Sequence, residues 1–396
     1  MHAASPLAAV TLPDYQDGSI VNLMASLGRA MGAVDAYRYL PLRALEPALL
    51  GGRGNVLLMV IDGLGYRYLV DTLPSGTLSR NLRGSLTSVF PSTTATAITT
   101  FMTGLAPQQH AVTGWNMYFD EIGTVAAVLP FRVRPTDEPL AQRGLRPETF
   151  FDHRAFFDQL PIASFLVSPK RIVDSEFSLA HSGTAQRCGY GSLAQFFEVI
   201  EYCLRGRGAR KFVYAYYPEL DSVAHEHGVA SRNTRELLQR LDDGVGRLLS
   251  CLAGLDVTVI VTADHGFVDA PESELVQLDQ HPLLAAMLAQ PLCGERRAAY
   301  CYVRPERDEA FVNYIRNELD EHVALWESRT LIDQGWFGPG DPHPKLASRV
   351  GDYVLVMKNR ATIKDWMTGE RHHSVIGVHG GVSADEMIVP LVLAQP

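Results

Sequence analysis

Three segments of this chain share one design: an apolar run that ends on an acidic residue. They are NVLLMVIDGLG (55–65), KFVYAYYPELD (211–221) and VTVIVTADHG (257–266). Apolar runs of this length, without the alternation of a half-exposed strand, suit strands buried on both faces. ASFLVS (163–168), GSLTSV (84–89) and MIVPLVL (387–393) are further strand candidates. Helical spacing lies between them. Ile20, Leu23, Met24, Leu27 and Met31 recur at helix period behind Ser19, a suitable N-cap, and a second periodic stretch covers 234–252. Strands alternating with helices predict an α/β fold, a mostly parallel central sheet with helices on both faces. From 271 to 372 the character changes to proline, arginine and short mixed elements. We expect a smaller inserted subdomain there, with 1–270 and 373–396 forming the core.

In open α/β sheets, ligands bind beyond the carboxyl ends of the strands. The three apolar runs deliver Asp62, Asp221 and Asp264 to that edge. Each alone reads as a turn residue or a helix cap. The histidines change the weighing. His225 follows Asp221 by four residues, one helical turn; His265 adjoins Asp264; His379 lies in a glycine-flanked turn before a strand. Carboxylate and neutral imidazole are suitable zinc ligands, and this set suits two metals sharing one site. His227 falls on the other side of the helix from His225, and His110 reads as a structural hydrogen-bonding group. His372 and His373, at the end of the insertion, are candidates for substrate contact.

One further stretch stands out. In SVFPSTTATAITTFMTG (88–104), eight of seventeen residues carry a hydroxyl. The bland reading is a helix with capping and surface hydroxyls. In the sharper one Pro91 opens the helix, Gly104 ends it, and Ser92, Thr93 or Thr94 stands at its N-terminus, where free N–H groups and the dipole favour an anion. Metal coordination can activate such a hydroxyl as a nucleophile.

The net charge of −9 argues against a nucleic-acid polymer as partner, while a small anion stays compatible with metal charge. The five cysteines are scattered without a CxxC, so neither a disulfide framework nor a thiolate zinc site is expected. No basic leader precedes an apolar run at the N-terminus, and no run reaches the roughly 18 apolar residues of a membrane span. The expectation is a cytoplasmic protein that does not bind membranes.

The ordered set VIDGLG (60–65), FPSTTATAITTFMTGLAPQQHAVTGWNM (90–117), YYPELDSVAHEHG (216–228), TADHGF (262–267) and VHGGVSADEMIVPL (378–391) resembles the alkaline phosphatase superfamily. The likeness is to its type I phosphodiesterase and nucleotide pyrophosphatase branch, over nearly all the chain outside the insertion. That resemblance implies an alkaline-phosphatase-like core, two zinc ions or other divalent metals, and a threonine nucleophile nine residues before a Thr-Gly pair. The pair here is Thr103-Gly104, so the nucleophile is Thr94. Asp62, Thr94, Asp264 and His265 would surround one metal; Asp221, His225 and His379 would hold the other. Asn116 is the match for an asparagine that binds a phosphoryl oxygen. The implied activity is two-step hydrolysis of a small phosphate ester, a nucleotide among the candidates, through a covalent phospho-threonine.

The chain departs from the family pattern after the nucleophile, and Asn116 lies one residue further on than the usual spacing. Nucleotide pyrophosphatases follow the nucleophile with Phe-Pro-Asn, whereas here Ala95, Thr96 and Ala97 follow. Phe90, Trp115 and Tyr118 are alternative platforms for a base. No cysteine occupies the nucleophile position, unlike a sulfatase, and no arginine directly follows Thr94, which leans toward diesters. Phosphonate or monoester hydrolysis, a phosphotransferase, and a catalytically silent metal or ligand binder are the competing readings.

Overall fold

The computed structural model describes residues 10–35, 38–50, 54–206, 208, 210–370, 372 and 374–396. Its main sheet has seven strands in the order Leu82–Thr87, Ile388–Ala394, Val257–Thr262, Asn55–Ile61, Lys211–Tyr217, Ala163–Pro169 and Gln186–Tyr190. The last five run parallel, and Ile388–Ala394 pairs antiparallel with both of its neighbours. All three apolar runs lie at its centre, with Asn55–Ile61 between the other two. Every residue of Lys211–Tyr217 and Val257–Thr262 is buried, which is why neither shows a polar alternation. Because the three strands are parallel, their acidic ends emerge at the same edge. Helix Arg232–Cys251 buries Leu237, Leu238, Leu241, Val245 and Leu248, the stripe predicted by its period. No described helix is long and apolar enough to cross a membrane.

A second sheet of seven strands is antiparallel throughout, in the order Val323–Glu327, Tyr353–Met357, Ala298–Cys301, Cys293–Gly294, Asn116–Phe119, Thr124–Ala127 and Arg132–Val133. The segment 271–372 therefore does not build this sheet alone; residues 116–133, expected within the core, supply three of its strands. The link is Gly294 pairing with Asn116. Gly114 allows the approach, since a Cβ there would lie 2.6 Å from the Gly294 Cα. Two smaller apolar clusters cover this sheet, one around Phe311, Ile315 and Leu355, the other around Trp336, Phe337 and Leu331.

His153, half-buried, and His181, fully buried, form a histidine pair. His153 Nε2 and His181 Nε2 are 2.8 Å apart, and His181 stacks on Phe177 at 4.0 Å. Burial pushes His181 down to about 3 and His153 to about 4. Both folded values lie below the ordinary imidazole value, so the unfolded chain binds more protons. Stability from this pair is full above about pH 6.5 and is lost as pH falls toward 4 and then 3. We expect the melting temperature of the wild type to drop through that window, and His181→Leu to flatten the drop. Parallel acid limbs for the two proteins would show that other groups set it.

Candidate active site

Helix Thr94–Thr103 begins at N-cap Thr93 and ends at Gly104, whose φ of 73° is left-handed. All ten of its residues are buried, so its threonines form no surface face. Thr99 and Thr103 donate to the carbonyls of Ala95 and Thr99, each at 2.7 Å, and Thr100 meets His110 Nε2 at 3.2 Å. Ahead of the helix, Ser92 Oγ donates to Gly381 O at 2.8 Å and Thr93 Oγ1 to Glu295 Oε1 at 2.7 Å. Threonine suits this helix because a hydroxyl can satisfy itself locally inside a core. Two depart from this: Thr96 Oγ1 is buried without a partner, and the Thr94 hydroxyl turns to the sheet edge, 3.1 Å from His265 Nε2.

Two clusters flank that hydroxyl. Asp62, Asp264 and His265 form one and Asp221, His225 and His379 the other, each with ligand atoms within 4.8 Å of one another. His265 Nε2 is 3.3 Å from Asp62 Oδ1 and 3.5 Å from Asp264 Oδ2. In the second cluster, His225 and His379 Nε2 lie 3.4 and 3.7 Å from Asp221 Oδ1. The His265 and His379 rings stack at 3.8 Å, so the clusters are neighbours. His225 is placed by the turn of helix Glu219–His227, as its spacing from Asp221 predicts.

The donor set fits cations. Nδ1 of His225, His265 and His379 faces the carbonyls of Gly377, Gly266 and Ser92 at 2.8, 3.1 and 3.3 Å. A carbonyl only accepts, so each Nδ1 carries the proton and each Nε2 presents a lone pair inward. His225 and His379 Nε2 then face each other at 3.2 Å, lone pair to lone pair. The carboxylates repeat the pattern. Asp264 Oδ1 accepts the N–H groups of Gly63 and His265 at 3.1 and 3.0 Å, and Asp62 Oδ2 accepts from Tyr216. Asp62 Oδ1, Asp264 Oδ2 and Asp221 Oδ1 are buried without a hydrogen bond. Orphaned buried oxygens beside inward lone pairs are costly unless positive charge joins them. Burial and the neighbouring Asp264 and Asp221 push the Asp62 carboxyl well up, while burial, His265 and His225 push His379 well down. For His225, burial lowers the value, but Asp221, the Gly377 carbonyl and Glu295 together hold it above the ordinary imidazole value.

Thr94, Trp115, Arg132 and Asp221 border two cavities, of about 600 and 610 Å³. Asn116 lines the first, with His225 and His379. Ile98, Met102, Leu166, Phe177 and Tyr214 wall the second, whose rim includes Lys170 and Arg171. Of the three candidate platforms, Trp115 alone reaches both cavities. Phe90 is fully buried against Trp336 and Phe337, and Tyr118 packs on Tyr302. His227 lies beside Glu226 outside the cluster, and His110 accepts the Val112 N–H at Nδ1. His372 stacks on Trp366, away from Thr94, and His373 lies outside the described residues.

Two contributors were not legible beforehand. Tyr216 sits inside an apolar run, where its hydroxyl gave no sign of meeting Asp62. Glu295 belongs to the second sheet, and burial pushes its carboxyl up to about 7 against the hydrogen bonds from Thr93 and Trp115.

A parallel sheet with acid–histidine clusters at its carboxyl edge, set around a threonine at a buried helix N-terminus, is the architecture of the alkaline phosphatase superfamily. The chain belongs to the type I phosphodiesterase / nucleotide pyrophosphatase family, whose profile matches residues 56–381. That family hydrolyses phosphoric esters. Murine ectonucleotide pyrophosphatase / phosphodiesterase 5 has a similar structure, with TM-score 0.66 at 16% identity over 86% of this chain and 88% of that one. The human protein of the same name gives the same figures. Phosphonoacetate hydrolase from Sinorhizobium meliloti 1021, solved with phosphonoformate, has TM-score 0.63 at 16% identity over 86% of this chain and 90% of its own. At such identities the likeness shows the fold. No curated protein matches the chain in sequence.

Proposed function

We propose that this protein is a metal-dependent phosphodiesterase that works through a covalent phospho-threonine at Thr94. The observation that carries the reading is the Thr94 hydroxyl, set at a helix N-terminus between two cation-competent clusters and two cavities. A diester has two substituents on phosphorus, and the two cavities that share Thr94 on their walls offer room for both. Asp62, Asp264, His265 and Thr94 would hold one divalent cation and Asp221, His225 and His379 the other, zinc being the first choice for mixed N/O donors. Cations bound there would lower the pKa of the Thr94 hydroxyl and offset charge on the entering and leaving oxygens. Thr94 Oγ1 attacks phosphorus as the bond to the leaving oxygen breaks, and the proton it loses passes to the departing oxygen or to solvent. Water then displaces Thr94 and releases the monoester. The helix N-terminus faces the phosphoryl oxygens with its unpaired N–H groups, and the Asn116 amide donates to one of them.

Two relatives support the substrate class. The murine protein was solved as an inactive threonine-to-alanine variant with AMP, and the bacterial hydrolase with a phosphonate. Nucleotides and phosphonates are therefore the first compounds to try, and Trp115, which borders both cavities, is an aromatic surface available to a base. Bis-p-nitrophenyl phosphate and p-nitrophenyl phosphate test the reaction itself. Chelation should abolish turnover, and zinc should restore it at about two equivalents per chain. Diester turnover that survives complete metal removal would sink the proposal. No turnover of any ester by zinc-loaded protein would favour a silent ligand binder.

A further inference from the structure

Among the described residues on the wall of the first cavity, Glu295 is the acidic side chain that touches the supports of the site without belonging to either cluster. It sits in the turn between Cys293–Gly294 and Ala298–Cys301. Its Oε1 accepts the Thr93 hydroxyl at 2.7 Å and the Trp115 N–H at 2.6 Å. Thr93 directly precedes Thr94, and Trp115 directly precedes Asn116. A Cβ on Gly380, beside His379, would fall 2.7 Å from the Glu295 Cβ. Glu295 therefore contacts the backbone neighbours of Thr94, Asn116 and His379, and lines the same cavity as all three.

Both hydrogen-bond partners are neutral. The cations that line the cavity face other groups first: Arg134 pairs with Asp365 and Glu370, Lys364 with Glu370 and Arg132 with Asp137, while Arg296, over the Trp366 ring, feels Glu370 more than Glu295. Burial raises the Glu295 carboxyl to about 7, so above neutral pH it stands ionised on the wall of the cavity that Thr94 and Asn116 line. A diester or singly ionised phosphonate ester brings one negative charge there; a fully ionised monoester brings two. We propose that Glu295 is a charge filter. It disfavours the doubly charged phosphoryl group and so sets the preference for singly charged esters over phosphate monoesters. This rests on the phosphodiesterase reading above and names the substrate class of that site.

Glu295→Gln keeps the shape and leaves a carbonyl to accept from Thr93 and Trp115, while removing the charge. At pH 8.5 p-nitrophenyl phosphate is a dianion and bis-p-nitrophenyl phosphate a monoanion. The ratio of their kcat/KM values, monoester over diester, should rise about tenfold, the size expected for one unit of charge a few ångströms away in a partly hydrated cavity. Inorganic phosphate, measured by calorimetry at the same pH on protein of equal metal content, should bind about tenfold more tightly to the variant. Glu295→Asp, which keeps the charge, should leave the ratio near the wild-type value. A purely structural Glu295 would lower both activities together with the ratio and phosphate affinity unmoved, and that result overturns the filter. If the wild type hydrolyses neither ester, the phosphodiesterase reading has failed. The phosphate titration then decides the filter alone: tighter binding to Glu295→Gln upholds it, and equal binding overturns it.

Discussion

Thr94→Ala should lower kcat on bis-p-nitrophenyl phosphate by about a thousandfold or more, with the fold intact and metal content nearly unchanged. No neighbouring hydroxyl can replace it. Ser92 is bonded to Gly381 O, Thr93 to Glu295, and Thr96 Oγ1 is buried away without a partner. The helix does not need Thr94 for its start, since Thr93 is the N-cap and alanine is at home in a first turn. The loss should therefore fall on chemistry and spare stability. Thr94→Ser, which restores a hydroxyl on the same Cβ, should recover much of the turnover. Denaturation midpoints beside single-turnover kinetics check both halves. An alanine variant with a tenth or more of wild-type kcat would remove the covalent intermediate from the mechanism.

The contrast between Asp62 and Glu295 shows what the chain disclosed in advance. Asp62 and Asp264 were legible because each follows a strand buried on both faces, and Asp221 because it opens the helix after a third; parallel neighbours must release such ends at one edge. His225 was legible because four residues make one helical turn. Thr94 needed more than local pattern: a threonine-rich helix looks the same whether its hydroxyls face solvent or a core, and only burial and the 3.1 Å approach of His265 separate the two. The second sheet was hidden for another reason. Its strands Cys293–Gly294 and Arg132–Val133 are two residues long, too short to display a period of two. Its pairing of Gly294 with Asn116 spans a separation that local pattern does not encode. Glu295 inherits that opacity, because the hydrogen bonds that bring it to Thr93 and Trp115 exist only once the two sheets are joined.

That junction is fastened by a buried ion pair, and breaking it should have the largest stability effect in the molecule. Arg297 Nε and Nη2 donate to Glu386 Oε1 and Oε2 at 3.1 and 3.0 Å, with side chains 2% and 0% exposed. Arg297 follows the Glu295 turn of the second sheet, while Glu386 lies in the helical turn Ala384–Met387 that leads into strand Ile388–Ala394 of the main sheet. Burial alone would push the Glu386 carboxyl up, but Arg297, Ser383 and the Gly381 N–H hold it below the usual carboxylate range. Arg297→Met leaves that carboxylate buried and unpaired and should cost about 3–5 kcal/mol, against near-neutrality when both partners become apolar of similar volume. The damage should extend to the site. Glu386 Oε1 also accepts the Gly381 N–H at 2.8 Å, two residues from His379, so a displaced Glu386 loosens the loop that presents that imidazole. Zinc affinity should then fall together with stability in Arg297→Met, and both should partly return in Arg297→Met Glu386→Leu. Urea denaturation beside zinc titration measures the two. A single variant as stable as the wild type would mean that water or a rearranged neighbour satisfies Glu386, and the pair would lose its role as the fastening between the sheets.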